Sequence, residues 1–233
     1  MRYLNILLLF FSAVLVKAQT YHLEFQTLYD GISYQNILYA NDSVSYWEGV
    51  NDPSTADPAP ELLIKKMNTQ NVVYMDYVFQ KMYYVEDSLH PMQWMPGSEA
   101  KTILDYPCFS AYTFFRGRKY VAFYTNTLPS FIGPWKFGGL PGAILEVIST
   151  DQAYQFKATS LSVNTENDME SSFEDKAIIS WDEYCRQFIK TTDYYARYMQ
   201  TVDAGQGGSA HIKIDRPEII YPKAQIGIGV GAE

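Results

Sequence analysis

Gly133-Pro134-Trp135-Lys136-Phe137-Gly138-Gly139-Leu140-Pro141-Gly142 runs directly into Ala143-Ile144-Leu145-Glu146-Val147-Ile148. The first ten residues hold four glycines and two prolines, but also a tryptophan, a phenylalanine and a leucine. Flexible linkers lack such anchors. Glycine opens backbone angles that other residues avoid, and proline fixes φ and removes a donor. The run therefore predicts a shaped loop entering a β-strand. It is either a structural turn whose apolar groups fill the core or a binding loop. In the first case Gly133, Pro134, Gly138, Gly139, Leu140, Pro141 and Gly142 shape the backbone. In the second, Trp135 and Phe137 are the anchors for a ligand or partner. No Lys-Ser or Lys-Thr pair follows the glycines, so this is not a phosphate loop.

Moving outward, Tyr112 to Tyr124 predicts a hairpin with Gly117 at its tip, where a tight turn needs positive φ. Downstream, Tyr154 to Val163 alternates with period two. Upstream, residues 21–29, 34–39 and 44–47 and the stretch from Val72 to Val85 carry similar strand signals. Residues 51–60 hold three prolines and read as a loop. Leu62 to Met67 is ambiguous, and His90 to Gly97 reads as a turn-rich connection. Ser180-Trp181-Asp182-Glu183 has the form of a capping box. The apolar stripe that follows predicts a helix over 180–199, with a face that must be buried. A closed barrel would leave that face outside. The pattern predicts a mainly β protein of the α+β class. Its expected form is a strongly curved antiparallel sheet packed against one or more helices, as in periplasmic lipoprotein carriers.

The N-terminus reads as a signal peptide over residues 1–18. A short basic start precedes the apolar run Leu4 to Val16, and Val16-Lys17-Ala18 offers small residues for cleavage. The run is short for a membrane span, and no later segment reaches 18 apolar residues. Residues 19–233 are expected to form one domain with a flexible C-terminal tail, in the periplasm or secreted. The chain has 26 acidic and 18 basic residues, and two of the basic ones lie in the leader. With no basic tract, nucleic acid and anionic membrane surfaces are poor partners. The 20 tyrosines, 13 phenylalanines and 4 tryptophans suit sheet faces and binding surfaces alike.

Chemistry-bearing clusters are scarce. His22, His90 and His211 are far apart in sequence, and no metal, redox or nucleophile-elbow motif occurs. No metal or cofactor and no catalytic residue is expected. Glu146 interrupts an apolar strand, so it needs a donor partner or faces a ligand. Arg116, Arg118 and Lys136 are its candidate partners, and Arg116 and Arg118 are further candidates for ligand or partner contact. Cys108 and Cys185 either form one bridge between helix and sheet or stay buried as small hydrophobes.

The run Gly133 to Val147 resembles the signature of the GLPGLI family, exported proteins of Bacteroidota. Gly139-Leu140-Pro141-Gly142 matches the family name, with Ala143 in place of the usual leucine and Ile144 at the next position. Cys108, Phe115-Arg116-Gly117-Arg118-Lys119-Tyr120, Phe123-Tyr124-Thr125 and Leu128-Pro129 also fit. Arg216-Pro217-Glu218 resembles a terminal Asn-Pro-Glu-like element, with arginine as a departure. The resemblance implies a cell-envelope role and transfers no catalytic residue. The expected function is a non-catalytic envelope or secreted protein that binds an apolar small molecule or a protein partner. The alternative is an envelope-polymer hydrolase using paired carboxylates.

Overall fold

A computed structural model describes residues 19–29, 31–50, 62–69, 71–88, 92–164, 173, 175–204, 212–213, 216–220 and 230–231. The expected signal peptide, His90 and His211 lie outside these residues. Two antiparallel meanders form the body. The first comprises β1 (Thr20–Tyr29), β2 (Ile32–Ala40), β3 (Val44–Gly49), β4 (Leu62–Lys66), β5 (Asn71–Val78) and β6 (Lys81–Ser88). The second comprises β7 (Met95–Ile103), β8 (Tyr106–Phe115), β9 (Arg118–Thr125), β10 (Ala143–Ser149) and β11 (Tyr154–Asn164). Antiparallel pairing of β1 with β11 joins them, from Thr20 opposite Asn164 to Tyr29 opposite Tyr154. A short strand, β12 (Ile178–Ser180), adds to β6 in parallel and leads into α1 (Trp181–Ala204). The result is one 12-stranded sheet in the order β12-β6-β5-β4-β3-β2-β1-β11-β10-β9-β8-β7.

The expected fold class needs correction in two respects. The sheet is mixed, because β12 runs parallel to β6. It is open, as expected, but it is not strongly curled. The single helix among the described residues packs on β6, β12 and β5, at one end of the sheet. The physical reason lies in the loop between β9 and β10. Its own apolar side chains fill the inner face of the sheet, so a helix is not needed there.

Local sequence explains the element ends. Arg116 and Gly117 both have positive φ, 44° and 86°, as a two-residue primed turn requires. The Ser180 hydroxyl accepts from the Glu183 amide at 3.3 Å, capping α1. The stretch 62–66 is a strand, and so is 95–103, whose first three residues belong to the 90–97 stretch that reads as a connection. β7 is an edge strand, where proline is tolerated, and its pairing with β8 is interrupted between Pro96 and Ala100. Ile212–Lys213 (β13) pairs with Val230–Gly231 (β14) in a separate two-stranded sheet, so it does not extend the main one.

Period-two alternation gives the large sheet two distinct faces. Phe25, Trp47, Leu63, Tyr74, Ala122, Val147 and Phe156 belong to a single buried core cluster with Trp135, Phe137 and Ile144. Phe115, Tyr120 and Phe156 point at the loop rings. Glu146 pairs with Phe123 in β9, and both lie on the opposite face from Ala122 and Val147. Among the described residues no helix is long and apolar enough to cross a membrane.

Candidate functional site

The Gly-Pro loop is a plug. Trp135 is 5 % exposed and Phe137 is 0 % exposed. The Trp135 ring stacks on Phe156 at 5.9 Å, and Phe137 meets Tyr120 edge-on at 4.9 Å. Burial and offset or edge-on geometry stabilise such rings. The loop backbone is tied as closely. Phe137 N donates to Pro134 O at 2.9 Å, Ile144 N to Ile132 O at 2.9 Å, and Trp94 Nε1 to Gly138 O at 2.9 Å. Gly139 has φ +86°, and a Cβ on Gly142 would lie 2.0 Å from the Thr125 carbonyl. One glycine thus supplies an angle and the other a close approach. Neither ring offers a surface to a ligand, so Trp135 and Phe137 serve as core anchors.

Two lysines are buried beside the plug. Lys65 of β4 donates to the Gly133 and Phe137 carbonyls at 2.7 and 3.1 Å. Burial pushes its amine down to about 7. Lys136 lies within an ionic quartet. Its ammonium is 2.8 Å from Glu218 and 3.4 Å from Asp87. Arg116 bonds the same two carboxylates, at 2.5 Å to Glu218 and 2.7 Å to Asp87. Two cations and two anions close a ring, so charge is balanced where desolvation would otherwise be costly. Aromatic faces cover the cations. Arg116 lies 3.8 Å from the Trp181 ring and Lys136 lies 3.9 Å from the Tyr74 ring. Burial alone would lower the Arg116 guanidinium, but the bonds to Asp87 and Glu218 hold it above its ordinary value.

The quartet joins distant parts of the chain. Asp87 is on β6, Arg116 is in the β8–β9 turn, Lys136 is in the loop, and Glu218 is in the C-terminal segment. Between β6 and β8 in the sheet order lie eight other strands. Asp87 of the first meander nonetheless bonds both Arg116 of the second and Lys136 of the plug.

Glu146 belongs to a different group. It is buried on the outer face, ion-paired with Lys101, and its Oε1 accepts from Gln155 Nε2 at 2.8 Å. The Lys101 ammonium also lies 3.7 Å from the Phe123 ring. Arg116, Arg118 and Lys136 are therefore not its partners. Alternation sends Glu146 to the face opposite the plug. Arg118, also buried, pairs with Asp151 and lies over the Tyr154 ring.

Cys108 and Cys185 are unbridged, so of the two alternatives they stand as separate thiols, Cys108 buried and Cys185 half-buried. Cys185 is on α1, whose Trp181 touches Arg116. Cys108 precedes Arg116 by eight residues along β8, or about 26 Å at ~3.3 Å per residue. Burial raises both thiols, Cys185 to about 11, so neither is an activated nucleophile. Among the described residues no three His, Cys, Asp or Glu side chains are placed to hold a metal.

The C-terminal segment 216–220 supplies what the sequence reading did not anticipate. Part of the expected flexible tail is fixed here, because Glu218 is 4 % exposed and completes the quartet. The Asn-Pro-Glu-like motif was the one signal pointing to it. Nothing local marked Asp87 or Lys65, whose partners lie far away in sequence.

No family model and no curated protein matches the chain. Two solved structures of PNGF-II, in space groups C2 and P21, are 20 % and 19 % identical to it over 75 % of its length, with TM-scores of 0.54 and 0.55. The chain spans about a third of the PNGF-II chains, 33 % and 34 %. This similarity is one of fold. A crystal structure of MucB in complex with MucA(peri) has a TM-score of 0.39 and 8 % identity, over 65 % of this chain and 53 % of that one. That likeness is too remote to support any inference about function.

Proposed function

We propose that this is a non-catalytic protein of the cell envelope, exported by its N-terminal segment, that binds a protein partner. One observation carries the reading: the buried charges described above are bound in internal ties. Asp87 and Glu218 are neutralised by Arg116 and Lys136 and Glu146 by Lys101, and Lys65 is hydrogen-bonded to two loop carbonyls. A hydrolase needs a carboxyl pair facing an open cleft, with one member ready to give up a proton. The buried acids here are instead held by cations. The plug also fills the face on which an apolar small molecule would lie in a carrier, which favours a protein partner.

The exposed surface supports the same reading. Among the described residues β7 is the edge strand of the sheet, and Met95 is 62 % and Phe114 64 % exposed. Met95 pairs with Tyr112, which puts Met95, Tyr112 and Phe114 on one face. An extended partner segment could add to such an edge, with specificity from those side chains. Membership of the GLPGLI family is part of the proposal. It rests on residues 133–147 and on the upstream and C-terminal elements quoted above.

A photocrosslinking residue at position 114 tests the reading in an exporting host. The expected result is one discrete protein adduct, lost when Met95→Asp is added. An adduct pattern unchanged by Met95→Asp, or none at all, contradicts the proposed surface. Release of sugars from envelope polymers by the purified protein, abolished by Glu146→Gln, would favour the hydrolase.

A further inference from the structure

Arg216-Pro217-Glu218-Ile219 is held by the body of the protein as a peptide ligand is held. Arg216 pairs with Asp76 and donates to the Tyr77 carbonyl at 3.1 Å, with its guanidinium 5.1 Å from the Phe188 ring. The Arg216 carbonyl accepts from Arg118 at 3.2 Å. The Pro217 carbonyl accepts from the Tyr120 hydroxyl at 2.5 Å. Glu218 is shared by Arg116 and Lys136, and the Ile219 amide donates to the Arg116 carbonyl at 2.9 Å. The Ile219 side chain fills the space beside Gly117, where a Cβ would come within 2.9 Å of it. Charge, backbone and shape are all read.

Much of the groove is built without its occupant. Asp87 bonds both Arg116 and Lys136, and the Trp181 and Tyr74 rings lie against those cations. None of these groups belongs to the segment. Without Glu218 the groove has two cations and one carboxylate at one end. Without Arg216 it has Asp76 at the other. The empty groove thus suits a bent segment with a cation and a carboxylate two residues apart.

We infer that this groove is a peptide-binding site, and that its occupant in trans is the same Arg-Pro-Glu-Ile segment of a second copy of this chain. That segment already matches every receiver. Exchange of identical segments conserves all the contacts and requires only a connection that can reach. Residues 205–215 join α1 to the segment and include Gly205-Gln206-Gly207-Gly208-Ser209. Fully extended, they span roughly 36 Å at ~3.3 Å per residue. In a single copy, the tethered segment competes with one offered from outside through its high effective concentration.

The test uses the full chain and a labelled peptide with the sequence of residues 214–221. Fluorescence anisotropy compares wild type with the R216A/E218A double variant, whose own segment lacks both charged contacts. The peptide should bind the variant at least tenfold more tightly than wild type. A peptide with the same two alanines should lose that advantage. Native mass spectrometry should find a wild-type dimer that grows with concentration and is absent from the variant. Hydrogen exchange on wild type covers the case of a variant that does not fold. The Ile219 amide should exchange faster than the amide of Val147 in the core strand. A folded variant that ignores the peptide overturns the inference. So does a wild type that stays monomeric, or an Ile219 amide that opens only with global unfolding.

Discussion

Two ionic groups lie on opposite faces of the same sheet, and they are built differently. The inner quartet joins β6, the β8–β9 turn, the Gly-Pro loop and the C-terminal segment. The outer pair joins β7 to β10, with help from neighbouring β11. The inner Lys136 side chain is 0 % exposed, whereas that of Lys101 is 35 % exposed. A pair near solvent gains little beyond what water offers, but a desolvated one becomes costly when a partner is lost. The difference indicates that the inner quartet locks the two halves of the sheet to the plug. The outer pair only trims one end of the sheet.

The largest effect should come from the plug itself. Trp135→Ala removes a buried ring packed against Phe115, Phe137 and Phe156. It should cost about 3–5 kcal/mol in urea unfolding. A loss below ~1 kcal/mol would mean that the ring is not part of the core. Next, Asp87→Asn leaves Arg116 and Lys136 sharing Glu218 alone, and should cost about 3 kcal/mol. An unchanged midpoint would break the claim that the quartet locks the halves together.

Lys65 sharpens the comparison, because it is buried with two backbone carbonyls as its bonded partners and its amine is pushed down to about 7. Between that value and the ordinary lysine value near 10.5, the unfolded chain binds more protons than the folded one. Stability must therefore rise with pH across that window, and the penalty is full below about 7. Measured against Lys65→Met, wild type should gain about 1.5 kcal/mol between roughly pH 7 and 8.5. Parallel pH profiles would show that Lys65 titrates normally. A smaller effect than the quartet's belongs to the outer face, where Lys101→Met leaves the buried Glu146 carboxylate with Gln155 as a donor and should cost about 1–2 kcal/mol.

The same contrast explains how much could be read in the sequence. Patterns carried by neighbouring residues were legible: the 112–124 hairpin, the helix start at Ser180, and the shaped loop with Trp135 inside. Gly117 and Gly139 do hold positive φ. Patterns that depend on the assembled sheet were not. Glu146 read as a partner for Arg116, Arg118 or Lys136, but alternation along β10 places it on the other face beside Lys101. Cys108 and Cys185 looked able to meet, but the length of β8 keeps them apart. The helix looked like the filler of the sheet, yet the aromatic loop took that place. Asp87 and Lys65 carried no local sign of their roles, since their partners are 29 to 131 residues away, as in Asp87 with Arg116 and with Glu218 and Lys65 with Gly133.

The central claim is that the inner quartet, unlike the outer pair, holds the fold together. It is tested most directly by urea unfolding of Lys136→Met and Lys101→Met side by side. Lys136→Met should lose at least ~2 kcal/mol more than Lys101→Met. Equal losses in the two variants would contradict the account.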